Sequence, residues 1–195
     1  MGSVETRPIT SDRWCDLVSV FGRRGEDPSW CWCRLFLNTN AARPMNSSPN
    51  NREALYHEIE HSSTPPGLLA YVDDRPVGWT RVGPRKRFPW VYGNRRLTQV
   101  LGDDDDTVWW VTCFAVDSRH RRTGVGQALL QDAVAFARTH GASAVEGYPV
   151  DVARLQADHV SGSALYVGTM SMFVMAGFSE VARPSPSRPV MRLTL

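Results

Sequence analysis

The stretch from residue 108 to residue 139 constrains the fold more than any other part of the 195-residue chain. It begins with the apolar run 108–116, VWWVTCFAV, whose β-branched and aromatic residues are typical of a buried strand. A basic turn that contains two glycines follows at 119–126. From Gln127 the apolar residues recur at helical spacing, and Gly141 stands where a helix C-cap is expected. The predicted order is therefore strand, basic glycine turn and amphipathic helix.

The glycine turn predicts a site for a phosphate or a pyrophosphate. The first turn of a helix has N–H groups without partners and carries the positive end of the helix dipole, and glycines let an anion approach the backbone. No lysine follows Gly126, which excludes a P-loop, and Leu129 stands where a dinucleotide fingerprint has its third glycine. From the turn alone, an ordinary strand-to-helix connection with solvated arginines is the alternative.

The segment Arg121-Arg122-Thr123-Gly124-Val125-Gly126 resembles the R/Q-x-x-G-x-G/A signature of the GNAT superfamily of acyl-CoA-dependent N-acyltransferases. The resemblance extends upstream to 113–116 and continues at 176–181, AGFSEV, so it covers roughly the second half of the chain. It implies an α/β (α+β) GNAT fold, with a mixed, mostly antiparallel sheet of about six to seven strands that includes a splayed parallel pair, flanked by about four helices.

The resemblance also implies a co-substrate, acetyl-CoA, and the residues that contact it. In the family, the glycine turn binds the CoA pyrophosphate, and the backbone of the preceding strand hydrogen-bonds to pantetheine. The residues of this chain expected to contact acetyl-CoA are Phe114, Ala115, Val116, Arg121, Arg122, Thr123, Gly124, Val125, Gly126, Gln127 and Phe173. No metal is expected, because Cys31-Trp32-Cys33 lacks the second ligand pair that a zinc site needs.

Length and charge limit the organisation and the partners of the chain. We expect one domain, residues 1–195, with an acceptor-side half at about 1–100 and an acetyl-CoA-binding half at about 108–195. A net charge of +2 does not predict nucleic-acid binding, and no apolar run approaches the roughly 20 residues that span a bilayer. The expected partners are acetyl-CoA and a small amine. We expect a cytoplasmic monomer or homodimer with free thiols.

The acid–base residues of the family are not matched. The position of the frequent glutamate base is Trp110, that of the tyrosine acid is Phe173, and that of a CoA-binding asparagine is Tyr166. The attacking amine must lose a proton and the departing thiolate must gain one, so other groups are needed. Tyr166, expected on the cofactor side of the last helix, is the favoured proton donor. The candidates near the expected site are Glu146, Tyr148, Asp151, His159 and Tyr166.

Three further predictions concern the acceptor side. A helix is predicted from Asn51 to about Ile59, after a polar loop. Residues 84–96 are predicted to be a solvated basic and aromatic insert near the active site. The segment 29–36, which contains Cys31-Trp32-Cys33, is either a core element or an aromatic and thiol wall of the acceptor site.

Three functions remain open at this point. The leading hypothesis is an N-acetyltransferase that moves an acetyl group from acetyl-CoA to the primary amine of a small molecule, by direct attack in a ternary complex. The second is a protein acetyltransferase that acts on N-terminal or lysine amines. The third is a non-catalytic acyl-CoA-binding sensor, which the missing glutamate and tyrosine keep open.

Overall fold

The computed structural model describes residues 3–28, 30–37, 47–101, 106–155 and 165–195. They form one sheet in the order β1-β2-β3-β4-β5-β7-β6, in which β4 and β5 are parallel and all other neighbours are antiparallel. This arrangement confirms the predicted fold class. The strands are β1 (Val4–Pro8), β2 (Gly67–Val72), β3 (Arg75–Pro84), β4 (Val108–Val116), β5 (Ala144–Gly147), β6 (Ser179–Ser185) and β7 (Arg188–Thr194).

Helices cover both faces of the sheet. In chain order, those within the described ranges are α1 (Trp14–Phe21), α2 (Ser48–His61), α3 (Pro89–Gly93), α4 (Arg95–Thr98), α5 (Val125–Thr139) and α6 (Met170–Met175). The two helices α3 and α4 have only five and four residues, so four longer helices flank the sheet, as predicted. Of the helices in these ranges, none has both the length and the apolar character needed to cross a membrane.

The N-terminal end of α5 packs closely on the sheet. A Cβ atom at Gly78 of β3 would lie 2.8 Å from Cγ1 of Val125 and 3.1 Å from Cδ1 of Leu129, so a glycine is needed at this contact. The buried face of α5 consists of Val125, Leu129, Leu130, Ala133, Val134 and Ala137. Its packing against β3 fixes the start of α5 beside the end of β4.

A bulge at Thr112 changes the face of the sheet to which the odd-numbered side chains of β4 point. Thr112 has no partner on β3, because the register shifts between the pairs on either side of it. Before the bulge, Val111 packs in the apolar cluster of α5; after it, Phe114 packs there, while Cys113 joins the cluster on the face of α1 and α2. We call this second face the acceptor face.

The parallel strands β4 and β5 pair over four residues each and then separate. Beyond Gly147, the backbone of 165–168 lies between them: the Phe114 N–H donates to the carbonyl of Tyr166 at 2.6 Å, and the Val150 N–H donates to that of Gly168 at 3.0 Å. The ring of Phe173 packs on Gly147, where a Cβ atom would be 2.3 Å from it. The chain itself therefore fills the inner part of the gap between the two strands.

Two sequence predictions on the acceptor face are wrong. The helix predicted from Asn51 begins earlier, because Ser47 accepts the Asn50 N–H and Pro49, in the first turn, has no N–H to satisfy. Contrary to the prediction, residues 84–96 are not solvated throughout: six of them are exposed, but the side chains of Arg85, Phe88 and Val91 are buried and contribute to the core.

Candidate active site

The basic turn after β4 is stabilised by hydrogen bonds from its own side chains. The Asp117 carboxylate accepts the backbone N–H of Arg119 at 2.9 Å and two bonds from its guanidinium, which lower the pKa of Asp117 to about 2. The Thr123 hydroxyl donates to the carbonyl of His120 at 2.7 Å. Arg119 is thus engaged within the turn. Arg121 and Arg122 are exposed and form no ion pair within the part of the chain that the structure describes.

Gly124 gives the turn a conformation that leaves the end of α5 open. It has a φ angle of 90° and precedes the first residue of α5. The first helical bond runs from Ala128 N–H to the Gly124 carbonyl at 2.9 Å, so the N–H groups of Val125, Gly126 and Gln127 have no partner within the helix. A Cβ atom at Gly124 would meet no atom within 4 Å, so space outside the turn is free.

These features fit an anionic ligand such as a pyrophosphate. The side-chain nitrogen Nε2 of Gln127 is buried and has no hydrogen-bond partner among the described residues. It lies in the same helical turn as the three unpartnered N–H groups and the positive end of the helix dipole. The start of α5 therefore combines three backbone donors without helical partners and a side-chain donor without a described partner, and two exposed arginines precede it in the turn.

The end of β4 presents backbone donors to the gap between the separated strands. The N–H of Phe114 points into this gap and is bonded to Tyr166. The N–H of Val116 points in the same direction, because alternate N–H groups of a strand face the same neighbour. The side chain of Ala115 is buried on the acceptor face. Phe173 is fully buried in an aromatic cluster, with ring centroids 6.4 Å from Phe114.

Tyr166 does not lie on the last helix. It precedes α6, whose first residue is Met170 and whose N-cap, Thr169, accepts the Met172 N–H. The Tyr166 ring is half-buried on the acceptor face, and its centroid is 6.4 Å from that of the Phe36 ring. Burial raises the pKa of the Tyr166 hydroxyl, which therefore stays protonated at neutral pH.

Glu146 is held by three donors. It pairs in register with Trp110, so its carboxylate is one strand away from the position at which the family often has its glutamate. It accepts Trp110 Nε1 at 2.6 Å, Arg85 Nη1 at 3.1 Å and Arg192 Nη2 at 3.0 Å, and its side chain is 2% exposed. A carboxylate so fully engaged has a structural role and is poorly placed to accept a further proton.

The other sequence candidates are not brought together. Tyr148 lies beneath the guanidinium of Arg188, 5.9 Å from its ring centroid. Asp151 accepts a bond from Arg183 at 2.9 Å. His159 lies outside the described residues. Of the four acid–base candidates that the structure describes, Tyr166 is the one on the acceptor face beside the separated strands.

The segment 30–37 forms a wall over the acceptor face. Trp32, Cys33 and Phe36 are each no more than 3% exposed, and Cys33 contacts Cys113 of β4. The segment is thus a core element, as one of the two interpretations predicted, and it contacts the end of β4; its role as a wall of the acceptor site stays a prediction. Beneath it lies a charged group that the sequence did not reveal, because its members are far apart in the chain: Arg34, Glu58 and Arg81.

A cavity of about 780 Å³ opens between α1 and α2. Trp14 and Tyr56 line it with rings in an edge contact at 5.0 Å, and Arg52 lies over Trp14 at 5.6 Å. Trp14 in turn stacks on Trp32 at 5.8 Å. No residue of β4, β5 or the glycine turn lines this cavity, so it is separate from the open end of α5. No group of three potential metal ligands occurs in the ranges that the structure covers.

Solved structures of the same fold match nearly the whole chain. The GNAT domain of S. lividans PAT is 17% identical, with a TM-score of 0.60, over 100% of this chain and 92% of its own. PaiA N-acetyltransferase from Thermoplasma acidophilum, solved in complex with coenzyme A, is 15% identical, with a TM-score of 0.56 over 99% of both chains. Ribosomal-protein-alanine N-acetyltransferase from Brucella melitensis is 16% identical, with a TM-score of 0.55 over 98% and 99%.

At these identities the likeness is one of fold. No curated protein matches the chain by sequence. The family profile described as "Acetyltransferase (GNAT) family" matches residues 31–160, which is more than half of the chain and includes β4, the glycine turn and β5. The chain belongs to the GNAT acetyltransferase family.

Proposed function

We propose that this chain is an N-acetyltransferase that moves the acetyl group of acetyl-CoA to the primary amine of a small molecule. The observation that carries the proposal is the open end of α5, where three backbone N–H groups have no partner within the helix and a Cβ atom at Gly124 would meet no atom within 4 Å. A helix start of this kind binds phosphate groups. Membership of the family supplies the acyl transfer, and the relative from T. acidophilum binds coenzyme A.

In this proposal the CoA pyrophosphate lies against the turn, and pantetheine follows the end of β4. The residues assigned to the pyrophosphate are Arg121, Arg122, Thr123, Gly124, Val125, Gly126 and Gln127, and those assigned to pantetheine are Phe114, Ala115, Val116 and Phe173. The Val116 N–H is a backbone donor on the side of the gap. The Phe114 N–H becomes a second donor if the Tyr166 carbonyl moves away from it.

The transfer proceeds by direct attack in a ternary complex. The acceptor enters as a free amine, and its nitrogen forms a bond with the thioester carbon. The bond between that carbon and sulfur breaks, and the thiolate leaves. Tyr166 supplies a proton to the sulfur, because burial keeps its hydroxyl protonated and its ring lies beside the separated strands. The amine loses its extra proton to water, since Glu146 is already occupied by three donors.

A small acceptor is favoured over a protein. Segment 30–37 lies over the acceptor face, where Trp32 and Cys33 are buried, and this cover favours a small acceptor. The free thiols suit the cytoplasmic location expected from the sequence, and we propose a monomer or a homodimer.

A non-catalytic acyl-CoA sensor is the second candidate function. It is favoured by Trp110 and Phe173, which stand where the family often has its base and acid and which cannot exchange protons in this role. A sensor would bind acetyl-CoA at the same turn but would release no thiol in the presence of an amine.

The release of CoA thiol from acetyl-CoA, measured with a panel of small amines and of short peptides, tests the proposal. We expect amine-dependent release that is faster with a small amine than with any peptide. Tyr166→Phe should lower kcat by at least about tenfold, since a positioned acid typically contributes about 10²–10⁴-fold, with CoA affinity nearly unchanged. Tyr148→Phe is the matched control and should keep kcat, because the Tyr148 ring packs under Arg188 and is not part of the proposed proton transfer.

Two results would count against this account. A Tyr166→Phe variant with full kcat would reduce Tyr166 to a packing residue, and transfer would then depend on proximity and on solvent as the proton source. Tight acetyl-CoA binding without thiol release for any amine or peptide would favour the sensor.

A further inference from the structure

Two thiols from distant parts of the chain meet on the acceptor face. The Sγ atoms of Cys33 and Cys113 are 2.6 Å apart, and both side chains are buried. Cys33 lies in segment 30–37, whose backbone is left-handed at Trp32 and at Cys33, with φ angles of 46° and 55°. The indole N–H of Trp32 donates to Ser48 Oγ at 2.8 Å and anchors this conformation. The contact is thus built by the fold and does not depend on a freely moving loop.

The surroundings of Cys33 favour its thiolate. Arg81 pairs directly with Cys113 across β3 and β4, so both side chains point to the acceptor face. Nε of Arg81 and the indole N–H of Trp79 are buried and lack a regular hydrogen bond within the described residues. Burial opposes ionisation, but the bond from Cys113, the charge of Arg81 and the nearby Trp79 indole together lower the pKa of the Cys33 thiol.

The other thiols differ from Cys33. The pKa of Cys113 is raised, first by its bond to Cys33 and then by burial, so Cys113 keeps the shared proton. Burial and the neighbouring Cys33 raise the pKa of Cys31 to about 11. Cys15 is exposed on α1, away from this group. Because the thiolate is the nucleophile in cysteine oxidation, Cys33 reacts first with the oxidant. Cys113 is then the thiol that attacks the oxidised Cys33 sulfur.

We propose that Cys33 and Cys113 form an oxidation site, at which hydrogen peroxide converts the two thiols into a reversible intramolecular disulfide that pins segment 30–37 over the acceptor face. Peroxide is close to water in size, so it can reach a nearly enclosed thiol. A cytoplasmic disulfide of this kind is typically transient and redox-sensing.

The chemistry balances in two steps. The Cys33 thiolate attacks one peroxide oxygen, the O–O bond breaks, and the products are a sulfenic acid and hydroxide, which takes up a proton to give water. The Cys113 sulfur then attacks the Cys33 sulfur; the S–S bond forms, the S–O bond breaks, and hydroxide leaves with the Cys113 proton as a second water. Two thiols lose two electrons and one peroxide gains them. A thiol reductant reverses the modification by exchange.

The disulfide would control access to the acceptor face. Cys113 stands between the bulge at Thr112 and Phe114, at the strand end where the thioester is proposed to lie. In the proposed function the amine approaches from the face that segment 30–37 covers, which requires Cys33 to part from Cys113 during turnover. A covalent link to β4 prevents that movement. This consequence rests on the proposed function, whereas formation of the link does not.

Peptide mapping of the full chain tests the link. Reduced protein at low concentration is treated with hydrogen peroxide, alkylated, digested with trypsin and analysed without reduction. We expect a bond between peptides 25–34 and 97–119, removed by dithiothreitol, in protein that stays monomeric on a denaturing gel. Cys31 and Cys33 share a peptide, so variants separate them: Cys31→Ser should keep the link, and Cys33→Ser and Cys113→Ser should lose it.

The outcomes that overturn the inference are equally specific. They are full alkylation of the wild type after peroxide, a link that survives in Cys33→Ser through Cys31, and bonds only between chains. Circular dichroism before treatment confirms that each serine variant is folded. The mapping needs no activity, so it can fail or succeed independently of acetyl transfer.

A second readout tests the control of access. The rate of amine-dependent thiol release should be at least about tenfold lower in the oxidised wild-type protein, and dithiothreitol should restore it. The Cys33→Ser variant, whatever its rate before treatment, should show the same rate after peroxide. A linked protein with an undiminished rate would show that the disulfide does not restrict the acceptor.

Discussion

Gly124→Glu is expected to weaken CoA binding by at least about 100-fold, or about 2.7 kcal/mol, while the chain remains folded. The new side chain would project into the free space outside the turn, where no atom lies within 4 Å, so it would disturb little of the protein itself. Its carboxylate would stand at the unpartnered N–H groups of α5 and repel the pyrophosphate. Titration calorimetry with CoA measures the loss, and thermal unfolding measures the fold.

The opposite end of the same helix provides the control. Gly141 follows α5 and has a φ angle of 78°, and a Cβ atom added there would also meet no atom within 4 Å. Gly141→Glu therefore carries a similar backbone cost, about 1–2 kcal/mol for a left-handed residue, without touching the proposed site. Equal CoA affinities for Gly124→Glu and the wild type, or equal losses in the two variants, would remove the glycine turn from the binding site.

Glu146→Leu is expected to destabilise the folded chain by about 3–5 kcal/mol. The carboxylate is the anion beside Arg85, whose side chain is 1% exposed, and it also accepts the indole N–H of Trp110. Removing it leaves a guanidinium charge in the core without its carboxylate. Denaturant unfolding measures the change in the free energy of unfolding. The comparison requires that the slope of this free energy against denaturant concentration is the same in the variant and the wild type.

Arg192→Ala is the matched control for Glu146→Leu. Arg192 binds the other oxygen of the same carboxylate, but its side chain is 37% exposed. Its removal should cost no more than about 1 kcal/mol, as is usual for exposed ion pairs. If Glu146→Leu changed the free energy of unfolding as little as Arg192→Ala, the buried carboxylate would not be structural and would again be a candidate for proton transfer.

Local patterns were sufficient for the cofactor half of the chain. The change from an apolar run to helical spacing predicted β4, the turn and α5 in their observed order. On the acceptor side, Asp73-Asp74-Arg75 between the apolar runs 68–72 and 76–82 likewise predicts a hairpin, and the structure shows β2 and β3 there with positive φ angles at both aspartates, as such tight turns require. Each of these signals is carried by neighbouring residues, which is why the sequence was enough.

The acceptor half depended on contacts between distant residues. The buried charges of Arg81 and Glu58 are 23 positions apart, and the thiols of Cys33 and Cys113 are 80 apart. No local pattern reports such pairs. The bulge at Thr112 further reversed the alternation of β4, so the inward position of Cys113 could not be counted from the start of the strand.

The same reason explains two of the wrong predictions. The basic residues of 84–96 indicated that the segment is exposed to solvent. Arg85 is nevertheless buried, because Glu146 of β5 is its ion-pair partner. Tyr166 was expected on the cofactor side of the last helix, whereas it precedes α6 and its carbonyl accepts the N–H of Phe114 of β4. In both places a partner from another strand determined the structure.

Hydrogen–deuterium exchange with and without CoA tests the location of the cofactor site most directly. The account predicts slower exchange on CoA addition at the start of α5, where the N–H groups of Val125, Gly126 and Gln127 lack helical partners, and at the end of β4. It predicts no change in α2, on the acceptor face. Protection confined to α1 and α2 around the 780 Å³ cavity, or no protection at saturating CoA, would contradict it.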